Sequence, residues 1–172
     1  MSVSAGQLIF YASSGMPEDD SAVTGGDINS GIRLQFDDLD ASTTVTAYSS
    51  SRIDRNTLTV YGRNNAGSIV NEDITVSGTG LSLAGSTTFS GIFKASLSHS
   101  TGVGVVTVSG TSQNIVATIP INESGFRLPF YAATADAGSS KTFYEKVFVK
   151  NRSGSSTLNA ANVIQVSDTG VS

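Results

Sequence analysis

The stretch from Thr57 to Gly78, TLTVYGRNNAGSIVNEDITVSG, alternates apolar and polar residues on both sides of a run of turn formers. Leu58 and Val60 interleave with Thr57, Thr59 and Tyr61, and Val70, Ile74 and Val76 resume the pattern beyond Gly67. A period of two puts alternate side chains on one face of a strand, so each arm has one apolar face. The predicted unit is a β-hairpin. A shared apolar face pairs Leu58 with Val76 and Val60 with Ile74, leaving Asn65, Ala66, Gly67, Ser68 and Ile69 as the loop. A two-residue turn would shift the register by an odd number and send the apolar set to the opposite face. A hairpin of this kind needs a second sheet, roughly 10 Å away, to cover it.

Further short strand-like runs follow from residue 31: 31–36, 43–48, 57–62, 69–77, 91–98, 103–109, 114–121, 126–132, 143–150 and 162–167. Strands at such spacing predict a sandwich or barrel. No window sustains a 3.6-residue period, and the only helical turns expected lie near 37–41 and 159–162. The expected fold class is all-β, an antiparallel, jelly-roll-like β-sandwich over residues 31–172 with an extended N-terminal arm or long loop over 1–30. Within that arm, QLIFYA reads either as one short strand or as an adhesive apolar plug. The turn-forming, acidic SSGMPEDDSAVTGGDINSG behind it reads as a surface loop or as a segment ordered by a partner.

Composition bounds the function. At 172 residues the chain fits one domain that buries roughly 70% of its unfolded surface. Its 38% apolar and 14% charged content is not that of a charge-driven disordered chain. A net charge of −4 with ten scattered basic residues argues against nucleic-acid binding, which neutralises phosphates with Lys and Arg. No cysteine is present, so neither disulfides nor thiolate metal sites can form. The opening MSVSAGQLIFYASSG lacks the basic and long apolar regions of a secretory leader, and no run approaches a membrane span. The expectation is a soluble protein made in the cytosol.

Catalytic chemistry is thinly supplied. His99 is the single histidine, set in SLSHS with neither a cysteine nor a G-x-S-x-G elbow, and reads as a surface residue. Asp37, Asp38 and Asp40, or Glu18, Asp19 and Asp20, carry oxygen ligands of the kind Ca²⁺ takes, but neither run has the calcium-loop spacing. They read as solvated acidic turns. A glycosidase needs two carboxylates flanking a cleft, and Glu72 and Glu123 qualify only by lying near strands. GVGVV and GTGLSLAG lack dinucleotide-binding spacing, and the sequons at Asn122 and Asn151 are expected by chance in a Ser-rich chain. Tyr11, Tyr48, Tyr61, Tyr131 and Tyr144 fall on different predicted strands and read as half-buried sheet or interface residues rather than a sugar-stacking platform.

Three phrases carry a resemblance. TLTVYGRNNAGSIVNEDITVSGTGLSLAGSTTFSGIFKASLS (57–98) resembles a module common in tailed-bacteriophage virion proteins: strand, G-x-N-x-x-G turn, acid-bearing strand, GT turn, then F..I. TFYEKVFVKNRSGSSTLNAANVIQV (142–166) is similar to their C-terminal Y-x-K-x-F-x-K-N strand, and TGGDINSGIRLQFDDL (24–39) to their GG-x-I segment. The resemblance implies a capsid decoration (cement) protein that binds the outer surface of the head and stabilises contacts between capsid subunits. It implies no catalysis and no cofactor, the major capsid protein and further copies of itself (a homotrimer) as partners, and no nucleic acid or membrane. The place it implies is the virion surface, after synthesis in the host cytoplasm. Leu8, Ile9, Phe10 and Tyr11 are the expected contact residues, laid over neighbouring subunits or added as a strand to an exposed edge. The alternatives are another virion component (neck, tail or receptor-binding fibre) and a non-viral β-sandwich adhesin or carbohydrate-binding module. A fibre should carry stalk repeats, an adhesin a secretion signal, and an enzyme clustered titratable groups.

Overall fold

Burial alternates residue by residue along 45–49 and 55–63. In a computed structural model that describes residues 3–15, 26–77, 83–100, 102–111, 114–129 and 146–157, no α-helix occurs among those residues and the fold is all-β. The strands are β1 (Leu8–Ser13), β2 (Ile28–Leu34), β3 (Val45–Ser49), β4 (Arg55–Arg63), β5 (Ile69–Ser77), β6 (Leu83–Ala84), β7 (Gly91–Leu97), β8 (Val106–Gly110), β9 (Ile115–Ile119), β10 (Gly125–Arg127) and β11 (Val147–Asn151). By contacts the chain divides into a larger unit, Phe10–Phe148, and a smaller one formed by Met1–Ile9 with Val149–Ser172. Strands β1 and β11 each straddle that division. In the smaller unit a short 3-10 turn at Ala5–Gln7 leads into β1, and the Arg152 N–H donates to the Gln7 carbonyl at 2.8 Å.

The larger unit holds two sheets, one with the order β1-β2-β10-β7-β4-β5 and one with the order β6-β3-β8-β9. One apolar core draws on both, joining Leu58, Val60, Ile74, Val76 and Phe126 of the first sheet to Val45, Val108, Val116 and Ile119 of the second. Fully burying one such side chain contributes about 1.5–3 kcal/mol. A separate small cluster, Ala12, Ile32 and Leu34, lies at the β1–β2 end.

The hairpin forms, with a register two residues from the sequence expectation. Leu58 faces Ile74, Val60 faces Glu72 and Asn56 faces Val76, and the loop is Asn64–Ser68. The turn sets this frame. The Asn64 side-chain oxygen accepts from the N–H groups of Ala66 and Ser68, both at 3.0 Å. The Gly67 N–H donates to the Asn64 carbonyl at 2.9 Å, and Gly67 takes φ 78°, a region costly for residues with a Cβ. Because the shift is even, the apolar face is kept.

The antiparallel expectation needs correcting at one pair. β10 runs antiparallel to β7 but parallel to β2, with Phe126 opposite both Ala95 and Arg33. This three-residue strand is bonded on both sides, and a Cβ at Gly125 would collide with the Ala95 carbonyl. Only a glycine lets the backbones approach so closely there. The segment around 37–41 forms no helical turn. Asp38 Oδ1 accepts instead from its neighbour's N–H at Leu39 and from the Ile92 N–H, both at 2.8 Å, which fastens the loop to β7. The strand expected at 162–167 and the helical turn at 159–162 lie outside the described residues.

Candidate functional site

The four apolar residues singled out near the N-terminus fall in β1. Leu8 and Ile9, in the smaller unit, are half-buried. Phe10 and Tyr11, in the larger unit, point to opposite faces of the sheet, as a strand requires. Phe10 is 40% exposed, whereas Tyr11 is 2% exposed. The reason for Tyr11's burial is polar. Its hydroxyl donates to Glu123 Oε1 at 3.1 Å, and Glu123 also takes Nη2 of Arg33 at 2.9 Å and Nε of Arg33 on its other oxygen. Glu123 is only 3% exposed and follows Asn122, which adopts φ 67° in the β9–β10 turn. This network ties the turn to β1 and β2.

Phe10 has a different neighbour. Its ring meets that of Phe36 edge-on, with centroids 5.9 Å apart at 88°. Phe36 follows β2 and is 65% exposed. Ala12, Ile32 and Leu34 sit at alternate positions of the same two strands and form the buried cluster beside the pair. Two rings facing solvent over an apolar floor make a surface that gains by being covered. Phe36 was not marked in sequence because it lies in the acidic FDDLD stretch, 26 positions from Phe10. The signal was the continuing period of two through Ile32, Leu34 and Phe36.

The same sheet carries a small recess of about 70 Å³ where β1, β2, β7 and β10 meet. It is lined by Ser13, Ser14, Asn29, Ile32, Lys94 and Arg127. Lys94 and Arg127 are direct cross-strand partners, and the Lys94 ammonium also lies 5.2 Å from the Tyr61 ring centroid. Burial pushes the Lys94 amine below its ordinary pKa, and the charge of Arg127 pushes it further down. A wider cleft of about 250 Å³ is lined by Asp38, Arg63, Ser90, Phe93 and Leu128 among others. Asp38 is already committed to the two loop bonds, and Arg63 donates to the Gly67 carbonyl at 2.8 Å.

The remaining candidates are dispersed. His99 Nδ1 lies 3.2 Å from the Ser98 hydroxyl, and its carbonyl accepts from the Asn56 amide at 2.8 Å. Glu72 is bound to the Ser86–Thr87 loop and Glu123 to Arg33, so the two carboxylates belong to separate structural bonds. Among the described residues no group of three His, Asp or Glu side chains is placed to hold a metal ion. Tyr48 and Tyr61 are half-buried. Glu18, Asp19, Asp20, Tyr131 and Tyr144 lie outside the described residues. Comparison of the chain with protein families, curated proteins and solved structures finds no match.

Proposed function

We propose that the chain is a capsid decoration (cement) protein of a tailed bacteriophage, a non-catalytic β-sandwich of jelly-roll kind that binds the outside of the head and stabilises its subunit contacts. The phrases at 57–98 and 142–166 supply the class. The observation that carries the reading is the exposed Phe10–Phe36 pair, an apolar surface of which Phe10 belongs to Leu8–Tyr11, the stretch the sequence marks for subunit contact. The partners on this reading are the major capsid protein and further copies of the chain, as a homotrimer at threefold positions. Residues 1–30, apart from those that form β1 and the start of β2, act as the arm. Weak contacts repeated over one particle add through effective concentration, so a modest apolar patch per copy suffices.

Removing residues 1–30 would strip β2 of its neighbour β1, so point substitutions make the cleaner test. Particles assembled with the wild-type chain should carry regular surface knobs by electron microscopy, absent from particles lacking it. Phe10→Ser with Phe36→Ser should fold normally and lower occupancy by about tenfold or more, equivalent to about 1.4 kcal/mol per site. Full occupancy by the double variant would remove the surface from the proposal. Loss of tails rather than knobs in the absence of the protein would assign it to the neck or tail.

A further inference from the structure

We propose that the outer face of the β6-β3-β8-β9 sheet binds an uncharged glycan. Val45, Ala47, Val106, Val108 and Ile119 turn inward to the core, so Thr46, Tyr48, Thr107, Ser109 and Thr118 turn outward. Among the described residues no outward position of this sheet carries a charge, so an ionic ligand finds no counterpart on it. Register lines the hydroxyls up. Tyr48 stands opposite Thr107 and Thr107 opposite Thr118, one row across three strands. None of these three hydroxyls has a hydrogen-bond partner among the described residues, and the Tyr48 ring meets no other ring or cation there. Thr107 is 8% exposed, and because no sealed side-chain oxygen is left without a partner, its hydroxyl opens to solvent. The neighbouring hydroxyls are set in place: those of Thr46 and Ser109 lie 2.8 Å apart, as do those of Thr44 and Thr111. Each pair holds its own geometry and keeps lone pairs free for a ligand.

Such a row suits a polyol. Each hydroxyl both donates and accepts, as each sugar hydroxyl does, and a tyrosine ring offers an apolar plate with a polar tip for the C–H face of a pyranose. Tyr11 and Tyr61 belong to the other sheet, so Tyr48 alone of the described tyrosines serves this face. Nucleic acid needs cations that the face lacks. A second copy of the chain needs more room. The sheet has four strands of at most five residues, about 300 Å² at ordinary strand spacing, against about 800 Å² per partner in a stable protein interface. A short oligosaccharide laid across the strands fits that footprint. The face lies on a different sheet from Phe10 and does not depend on the capsid reading.

The test titrates the full-length protein with maltohexaose, cellohexaose and mannohexaose while amide ¹H–¹⁵N resonances are followed. At least one sugar should move Thr46, Tyr48, Thr107 and Thr118 saturably, with one shared dissociation constant, and leave Phe10 and Arg33 in place. Tyr48→Ala should weaken that constant by about tenfold or more, since ring and hydroxyl are lost together. Thr118→Val keeps the shape of an exposed side chain and removes only its hydroxyl, so it should fold normally and weaken binding by about threefold. Failure of all three sugars to give saturable movement, or an unchanged constant in Thr118→Val and in folded Tyr48→Ala, overturns the site. Tighter binding of hexagalacturonate, a sugar of the same length with a carboxylate on each ring, overturns the assignment to an uncharged glycan. Movement of the same amides with protein concentration alone would give the face to a second copy and overturn it equally.

Discussion

Glu123 shows how much one side chain can hold. Its carboxylate is buried, yet it receives two bonds from Arg33 and one from Tyr11, and through them the β9–β10 turn is joined to β1 and β2. The bonds differ in what their loss leaves behind. Tyr11→Phe removes one neutral donor and should cost about 1 kcal/mol. Arg33→Met leaves a carboxylate in a poorly solvated place without its cation and should cost about 3 kcal/mol. Urea unfolding of the two variants measures both values. If Arg33→Met costs no more than Tyr11→Phe, the ion pair is not what fastens the turn. The same residues explain why Tyr11 parted from its neighbours in sequence. LIFY looks uniformly apolar, but the tyrosine hydroxyl has a buried acceptor 112 positions away, which no local pattern reveals.

At the scale of elements, a second carboxylate fixes a loop to an edge strand. Glu72 of β5 accepts from the Ser86 N–H at 2.6 Å, the Ser86 hydroxyl at 2.8 Å and the Thr87 N–H at 3.0 Å. Burial alone would raise its pKa, but these bonds from Ser86 and Thr87 outweigh it, and the group lies below its ordinary value of 4.5. A carboxyl with a depressed folded pKa lends stability that is full above the unfolded value and is lost as pH falls through the folded one. The Ser86 and Thr87 amides should therefore be protected from hydrogen exchange at pH 6 and lose that protection only as the pH is taken well below the ordinary carboxyl value of 4.5. Glu72→Gln should remove the pH dependence. Exchange that is independent of pH in the wild type, after correction for intrinsic rates, would show that the clasp does not hold the loop. Such bonds lie beyond what alternation encodes. A period of two told which face of β4 and β5 is buried, but only modulo two residues, and Asn64 with Gly67 chose the frame. FRLP announced a strand at β10 without saying that β2 would run parallel to it. The exposed rings of Phe10 and Phe36, and the meeting of Lys94 with Arg127, depend on pairings between distant segments, so sequence patterning exposed one partner of each at most.

For the molecule as a whole, the order of strands in space sets the order in which they can assemble. β4, β5 and β7 neighbour one another and come from a continuous stretch, Arg55–Leu97. β2 must find β10, Ile32 opposite Gly125, and β3 must find β8, Val45 opposite Gly110. Closing long loops costs chain entropy before any contact repays it, so a sheet with such pairings should refold on the order of milliseconds to seconds. The local three-stranded unit is the natural nucleus, and the two apolar clusters allow that to be tested. Ile74→Ala deletes a core contact inside the nucleus, whereas Leu34→Ala deletes one in the separate β1–β2 cluster. Both should destabilise the protein by about 2–4 kcal/mol. In stopped-flow urea chevrons, Ile74→Ala should chiefly slow refolding, and Leu34→Ala should chiefly speed unfolding. The reverse partition would mean that the long-range β2–β10 pairing forms first and that the hairpin docks onto it, despite being the part of the chain with the most local contacts.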